Sequence, residues 1–249
     1  MKHLFQPLLL LFFLPFTLAA CSKSVSNQKD TDNSSGEVDG KVMDENGNPL
    51  QGVKTTIEHT VWYDTYLYGV TDNSGKYSIK LPAEPAGTWT AKAQIERSAY
   101  GQDYKFDLQA DNTDPFDKSK VTTRNFTWKL SGPKPGNGGF YGAHVDLYAF
   151  GTDVDVTQIK LILTPLDTKL IDGSAATSIE KTIKDVAGTF MATDIPIGRY
   201  SVKAIYAGKK LLLDNRHDNG EPAESKEVIF GKNGTLGETE YNIEFWISE

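Results

Sequence analysis

What this 249-residue chain lacks narrows its function before anything present does. It holds a single cysteine, Cys21, so no internal disulfide can form, and no thiolate metal site or cysteine nucleophile is available in the rest of the chain. None of its four histidines stands in a His-x-x-Glu or His-Glu-x-x-His arrangement, the spacings that let side chains meet at one zinc ion. His59, His144 and His217 stand alone and are expected to be polar surface or turn residues. No Gly-x-Ser-x-Gly elbow and no phosphate loop occurs. No segment sustains a helical period. The apolar run at 8–14 is too short, and too closely flanked by Pro7 and Pro15, for a membrane-spanning helix. Basic charge is also scarce: 26 Lys and Arg face 33 Asp and Glu, which argues against nucleic acid and against direct docking on anionic lipid. The expectation is a protein that is not an enzyme, with no cofactor and no metal.

The start of the chain supplies an address. Lys2 and His3 precede the apolar run, and Leu18-Ala19-Ala20-Cys21 follows it. Small residues before a cysteine resemble a bacterial lipobox, which implies a leader at 1–20 and a lipidated Cys21 as the new N-terminus; an ordinary secretory signal with a chance cysteine is the alternative. Several acyl chains, at ~0.8 kcal/mol per buried methylene, hold a protein on a membrane almost permanently. Ser22 and Lys23 follow in place of an aspartate, which resembles sorting to the outer membrane, with the periplasmic and cell-surface faces both open. Residues 21–36 are polar and without periodicity, so they read as a disordered tether. Losing Lys2 with the leader takes the formal charge from −7 to about −8. The acidic residues are scattered, and solubility accounts for them.

From residue 37 onward the pattern is that of half-buried strands, in which every second side chain enters a core. Trp89, Ala91, Ala93 and Ile95 share one face, as do Tyr77, Ile79 and Leu81. Asn46-Gly47 and Asn73-Ser74-Gly75 supply the turns between such strands. The residues Gly40, Val42, Asp44, Gly47, Pro49, Gly52 and Val53, then Thr71, Asp72, Gly75 and Tyr77, then Gly87 and Trp89, resemble in order and spacing the carboxypeptidase regulatory-like domain, a small transthyretin-like β-sandwich. The resemblance covers roughly residues 37–96. It implies a non-catalytic module of the kind attached to peptidases, outer-membrane transporters and surface lipoproteins. The aromatic insert at 62–69 is longer than that pattern has. Transthyretin-like hydrolases end in a Tyr-Arg-Gly-Ser tail, whereas this chain ends Phe245-Trp246-Ile247-Ser248-Glu249.

A second half follows. Phe126, Trp128 and Leu130 close the first sandwich at 37–131, and the Pro- and Gly-rich stretch 132–139 reads as a linker; a long loop within one continuous sandwich is the rival reading. In 140–249, Val145, Leu147 and Ala149 alternate, as do Ile159, Leu161 and Leu163, and later Tyr241, Ile243, Phe245 and Ile247. Gly188-Thr189-Phe190, Ile195-Pro196 and residues 198–204 echo Gly75-Lys76-Tyr77, Leu81-Pro82 and residues 87–93, displaced by about 112 residues. That echo suggests a divergent repeat, and convergent hairpin chemistry would also produce it. The fold class expected is all-β, with two tandem transthyretin-like or Ig-like antiparallel sandwiches.

Three segments could bind something. Asp111, Asn112, Asp114 and Asp117 cluster in one loop, and Asp214, Asn215, Asp218, Asn219 and Glu221 in another; these oxygens suit calcium, but Asx-rich turns explain them more simply. The stronger candidate is the aromatic insert. If it is extended, Val61, Tyr63 and Leu67 face the core and Trp62, Asp64, Tyr66 and Tyr68 form an outer surface, suited to stacking on sugar rings or anchoring a protein. The expected function is a membrane-anchored accessory lipoprotein with a glycan, peptide or envelope-protein partner. The alternative is a surface-fibre subunit, because some fimbrial lipoproteins also resemble two transthyretin-like domains; that assembly needs a displaceable first strand.

Overall fold

The structure is a computed structural model describing residues 36–119, 121–136, 138–149, 152–232 and 237–249. The expected leader, Cys21 and all but the last residue of the tether lie outside these residues. The first half contains β1 (Gly36–Asp44), β2 (Lys54–His59), β3 (Tyr66–Val70), β4 (Lys76–Leu81), β5 (Thr88–Ala99) and β6 (Gln102–Asp107), followed by the short β7 (Gln109–Ala110), β8 (Phe116–Asp117), β9 (Thr122–Thr123) and β10 (Phe126–Trp128). The second half contains β11 (Ala143–Ala149), β12 (Lys160–Pro165), β13 (Ile179–Thr182), β14 (Lys184–Val186), β15 (Thr189–Ile195), β16 (Arg199–Tyr206), β17 (Lys209–Asn215), β18 (Lys226–Ile229), β19 (Gly231–Lys232) and β20 (Tyr241–Ser248). One 3-10 turn, Val156–Gln158, interrupts them, capped by the Asp155 carboxylate on the Thr157 N–H.

The alternation seen in the sequence is what builds these strands. Along β4 exposed and buried residues alternate without exception, with Tyr77, Ile79 and Leu81 inside. Trp89, Ala93, Ile95, Leu161, Leu163, Phe245 and Ile247 are buried as the period predicts, each large apolar side chain contributing roughly 1.5–3 kcal/mol by leaving water. Ala149 is exposed, because β11 ends there.

The first half is a sandwich of two sheets, one ordered β4-β1-β10-β7 and the other β3-β2-β5-β6. The chain passes from one sheet to the other at Leu108, between β6 and β7. The second half repeats this pairing. There β15, β11 and β20 are neighbours as β4, β1 and β10 are, and β13-β12-β16-β17 matches β3-β2-β5-β6. Its two layers merge into one ten-stranded sheet because β17 is continuous, pairing with β16 through Lys209–Leu211 and with β20 through Leu212–Asn215. In each half the first strand lies parallel to the last, β1 against β10 and β11 against β20. All other pairs in both halves are antiparallel except the short β1–β9 bridge. The sequence echo at β4/β15 and β5/β16 is therefore matched by equivalent strands in equivalent places.

The motif residues of the first half are consumed by this fold. A Cβ on Gly40 would come within 1.8 Å of the Arg124 carbonyl oxygen, so β1 can approach that loop only at glycine. The Tyr77 hydroxyl donates to the same carbonyl at 2.7 Å, and burial pushes its phenol well above the usual range. Gly75 has φ +72°, and a Cβ there would meet the Val42 carbonyl at 2.5 Å. Asp72 accepts from the Ser74 and Lys76 N–H groups, and Asp44 from those of Asn46 and Asn48. The buried Thr71 hydroxyl accepts from the Val53 N–H and donates to the Leu50 carbonyl. These residue types hold turns and strand crossings.

The two halves meet along β6. The Tyr104 hydroxyl and the Gln102 amide both donate to the Phe230 carbonyl, at 2.9 and 2.7 Å. The Lys105 N–H donates to the Tyr241 hydroxyl at 2.6 Å, and the Thr239 hydroxyl donates to Asp107. The Tyr241 ring packs at a tilt against those of Tyr104 and Phe106, which stack on each other. The stretch at 132–139 folds back on itself, with Lys134 N–H bonded to Gly139 O and Tyr141 N–H to Gly132 O, and Gly132 N–H also reaches the Asp194 carboxylate at 2.7 Å. The described residues pack as one unit.

Candidate functional site

The aromatic insert forms the β2–β3 hairpin, and the structure splits it into two surfaces. The expectation of an extended insert fails at residues 60–64, which form a turn closed by the His59 N–H on the Thr65 carbonyl at 3.0 Å. Asp64 adopts φ +53° there. Val61 and Tyr63, expected inside, are 80% and 89% exposed, because the pleat that would have turned them inward ends at His59. Trp62 sits between them, 61% exposed. Tyr66 and Tyr68 lie beyond the turn on β3, in the outward position expected of them, and Leu67 packs against the core.

His59, expected to be a polar surface or turn residue, holds the turn, and does so from a buried position. It is buried, with its ring edge-on to Trp89 at 4.7 Å. Its Nδ1 accepts the N–H groups of Val61 at 3.1 Å and Trp62 at 3.0 Å, while Nε2 lies 3.1 Å from the Ala86 carbonyl. Two donors converge on Nδ1, so the ring proton belongs on Nε2, where it is donated to Ala86. Alternation with Thr55 and Ile57 turns His59 inward, but the sequence hides its role in the turn because its partners at residues 61, 62 and 86 are set by the fold.

Tyr66 and Tyr68 make a flat platform. Their rings are 6.3 Å apart and 24° from parallel. β3 is an edge strand, and its outward side chains sit in register with those of β2 and β5: Tyr66 beside Glu58 and Thr90, Tyr68 beside Thr56 and Lys92. The Lys54 ammonium stands 4.4 Å over the Tyr68 ring, a cation–π contact, and Lys92 pairs with Glu58 at 2.5 Å. Partial desolvation raises the Tyr66 phenol, and the carboxylates of Glu58 and Asp64 add to it. Of the four residues singled out by sequence, Tyr66 and Tyr68 stack together, Asp64 lies close enough to act on Tyr66, and Trp62 stands apart on the tip. The platform offers ring faces bordered by the Lys54 ammonium and the Lys92–Glu58 charge pair.

A second cluster escapes sequence reading. On the outer face of the parallel β11–β20 pair, His144, Asp146 and Tyr148 stand in register with Asn242, Glu244 and Trp246. Asp146, Asn242 and Glu244 are buried. Asn242 donates to Asp146 Oδ2 at 2.9 Å, Arg216 pairs with Glu244 at 2.5 Å, and the Arg216 guanidinium lies 4.3 Å over Tyr148 and 4.7 Å over Trp246. Among the described residues Asp146 Oδ1 has no hydrogen-bond partner. Burial raises the Asp146 carboxyl, and the Glu244 charge adds to that against the pull of Asn242 and His144. Period-2 alternation marks these side chains as outward, and only the pairing of strands about 100 residues apart shows that they cover one another. Beside them, a cleft of about 400 Å³ opens between the 138–142 loop and β15, lined by Phe140, His144, Val186, Met191 and Asp194.

The two acidic loops act as turns. Asn112 accepts from Asp114 N–H, Asp117 from Ser119 N–H, Asn215 from His217 N–H and Asp218 from Gly220 N–H. Among the described residues no helix is long and apolar enough to cross a membrane.

No family model matches this chain, and no curated protein sequence matches it. Solved structures do. A TIE protein from Bacillus anthracis aligns over 85% of this chain and 33% of its own, at 15% identity and a TM-score of 0.31. A streptococcal ancillary pilin aligns over 86% and 63%, at 14% identity and a TM-score of 0.27. A C-terminal fragment of the pilus adhesin SpaC from Lactobacillus rhamnosus GG aligns over 85% and 96%, at 11% identity and a TM-score of 0.27. The chain thus spans a third of the first of these proteins and under two thirds of the second.

Proposed function

We propose that this protein is a non-catalytic binding module, anchored in the outer membrane through a lipid on Cys21, that docks a glycan, peptide or envelope-protein partner on the Tyr66–Tyr68 platform. The observation that carries the reading is the pair of near-parallel tyrosine rings exposed on an edge strand, 6.3 Å apart, with the Lys54 ammonium over one of them. Nothing in the core or the turns needs them exposed. Ring faces take the apolar face of a sugar, and the bordering Lys54, Glu58 and Lys92 supply donors and acceptors to its hydroxyls. A glycan is the favoured ligand because the platform is flat and mixed in charge. The family-like motif contributes architecture only, since its residues are engaged in turns and strand crossings.

The fibre reading has a structural cost. β1 is bonded to β4 on one side and to β10 and β9 on the other, and it buries Val38 and Val42 completely. Exchanging it for another subunit's strand would expose both. Screening the purified chain and a Tyr66→Ala/Tyr68→Ala variant on a glycan array tests the proposal. Binding by the wild type that falls at least tenfold in the variant, about 1.4 kcal/mol, is the expected result; equal binding by both would remove the platform from the account.

A further inference from the structure

The end of the first sandwich at which β1 begins gathers exposed apolar side chains. Gly36 packs against Lys118, whose carbonyl lies 2.0 Å from where a Cβ would stand. Asp117 pairs with Thr88 in the β5–β8 ladder, and Thr88 bonds Thr60 through both its carbonyl and its hydroxyl. The hairpin tip therefore stands beside the first described residue. It presents Val61, Trp62 and Tyr63, at 80%, 61% and 89% exposure. Val121, 69% exposed, joins them, one residue before Thr122 pairs with Val38. Charge at this end is mixed: Asp64, Lys80, Glu84 and Asp117 are exposed, and Lys118 turns its ammonium toward the Pro85 carbonyl. The second sandwich leaves from the far end of β5, where Ala99 meets Gln102, 12 residues of strand away, roughly 40 Å at about 3.3 Å per residue.

We infer that this end is a membrane-contacting surface, in which Val61, Trp62 and Tyr63, with Val121 beside them, sit in the boundary between headgroups and acyl chains of a bilayer. Position argues for lipid over a protein partner. Cys21 precedes Gly36 by 15 residues, a reach of at most ~50 Å, and the chain enters the sandwich at this end, so a lipid on that cysteine holds this end nearer the membrane than the opposite one. Tryptophan and tyrosine suit that layer, since each pairs an apolar body with a polar tip. Tethering also raises the local bilayer concentration to about the millimolar range, so a weak contact is enough. The contact is interfacial and not electrostatic, consistent with the acidic balance of the chain. It would orient the sandwich with Tyr66 and Tyr68 facing sideways along the surface. The inference takes its direction from the proposed anchor but not from the proposed ligand.

Trp62 is the reporter. Trp89 and Trp128 are buried and Trp246 belongs to the second half. Residues 22–249 carrying an N-terminal hexahistidine tag are tethered to phosphatidylcholine vesicles through a nickel-chelating lipid, and tryptophan quenching by brominated phosphatidylcholine is measured. The tether is thus supplied whether or not Cys21 is acylated, and flotation of the native protein with its host membrane tests the anchor separately. Quenching that vanishes in Trp62→Phe, falls at least twofold in a Val61→Ser/Tyr63→Ser variant that keeps Trp62, and survives high salt is the expected result. An unquenched wild type, quenching that persists in Trp62→Phe, or quenching abolished by salt would each overturn the inference; the first would leave a protein as the occupant of the tip.

Discussion

At the scale of single residues, the groups that look most distinctive in the sequence are the ones the fold has already used. Tyr77 is a strong case: its hydroxyl satisfies the buried Arg124 carbonyl that Gly40 allows close to β1. Tyr77→Phe leaves that carbonyl without its partner and should cost about 1–2 kcal/mol, read as a lower denaturant midpoint with ligand binding unchanged. Asp146 behaves in the opposite sense. Burial raises its carboxyl, so the fold disfavours the ionised form: the group costs nothing below its unfolded pKa of about 3.9, and stability is lost as pH rises through the raised folded value. Asp146→Asn should therefore raise the melting temperature at pH 8, by the equivalent of about 1 kcal/mol, and have little effect at pH 3. A larger gain at pH 3 than at pH 8 would show that the sign is wrong.

At the scale of elements, the β2–β3 hairpin shows where sequence reading works and where it stops. Alternation places Tyr66 and Tyr68 outward and Leu67 inward because β3 is paired along its whole length with β2, and a paired strand must keep its period. The same rule misplaces Val61 and Tyr63, since the ladder ends at His59 and the turn that follows is shaped by a buried imidazole accepting two backbone N–H groups. Alternation along β2 puts that histidine on the inward face with Thr55 and Ile57, but its grip on the turn depends on Trp89, 30 residues on, and on the Ala86 carbonyl. His59→Leu fills the space but strands the two N–H groups. It should lower stability by about 1–3 kcal/mol and speed hydrogen exchange at Val61 and Trp62 while leaving β5 protected, which exchange mass spectrometry resolves. The β11–β20 cluster fails in sequence for a related reason: its members are separated by about 100 residues, and only the parallel pairing of first and last strands brings Asp146 beside Glu244.

At the scale of the whole molecule, the all-β architecture and the internal echo were readable because both rest on short-range signals, alternation within strands and glycine-led turns between them. The repeated pairing order, with the first strand parallel to the last in each half, was not, since it is a long-range property. Nor was the tyrosine-rich seam along β6, where Tyr104 and Tyr241 bond across to backbone groups of the other half. That seam occupies one edge of the β3-β2-β5-β6 sheet, and among the described residues no strand pairs with the opposite edge, β3. The arrangement gives the protein one end toward its tether, one edge occupied by the second sandwich, and one aromatic edge opposite.

The most direct measurement is a map of backbone amide chemical-shift changes as an array-positive oligosaccharide is titrated into the isotope-labelled chain. The account predicts that the changes centre on Lys54, Glu58, Tyr66, Tyr68 and Lys92, with residues 143–149 and 241–248 unmoved. Changes centred on His144, Asp146 and Glu244, with the β3 edge silent, would contradict it and place recognition on the buried polar cluster of the second sandwich.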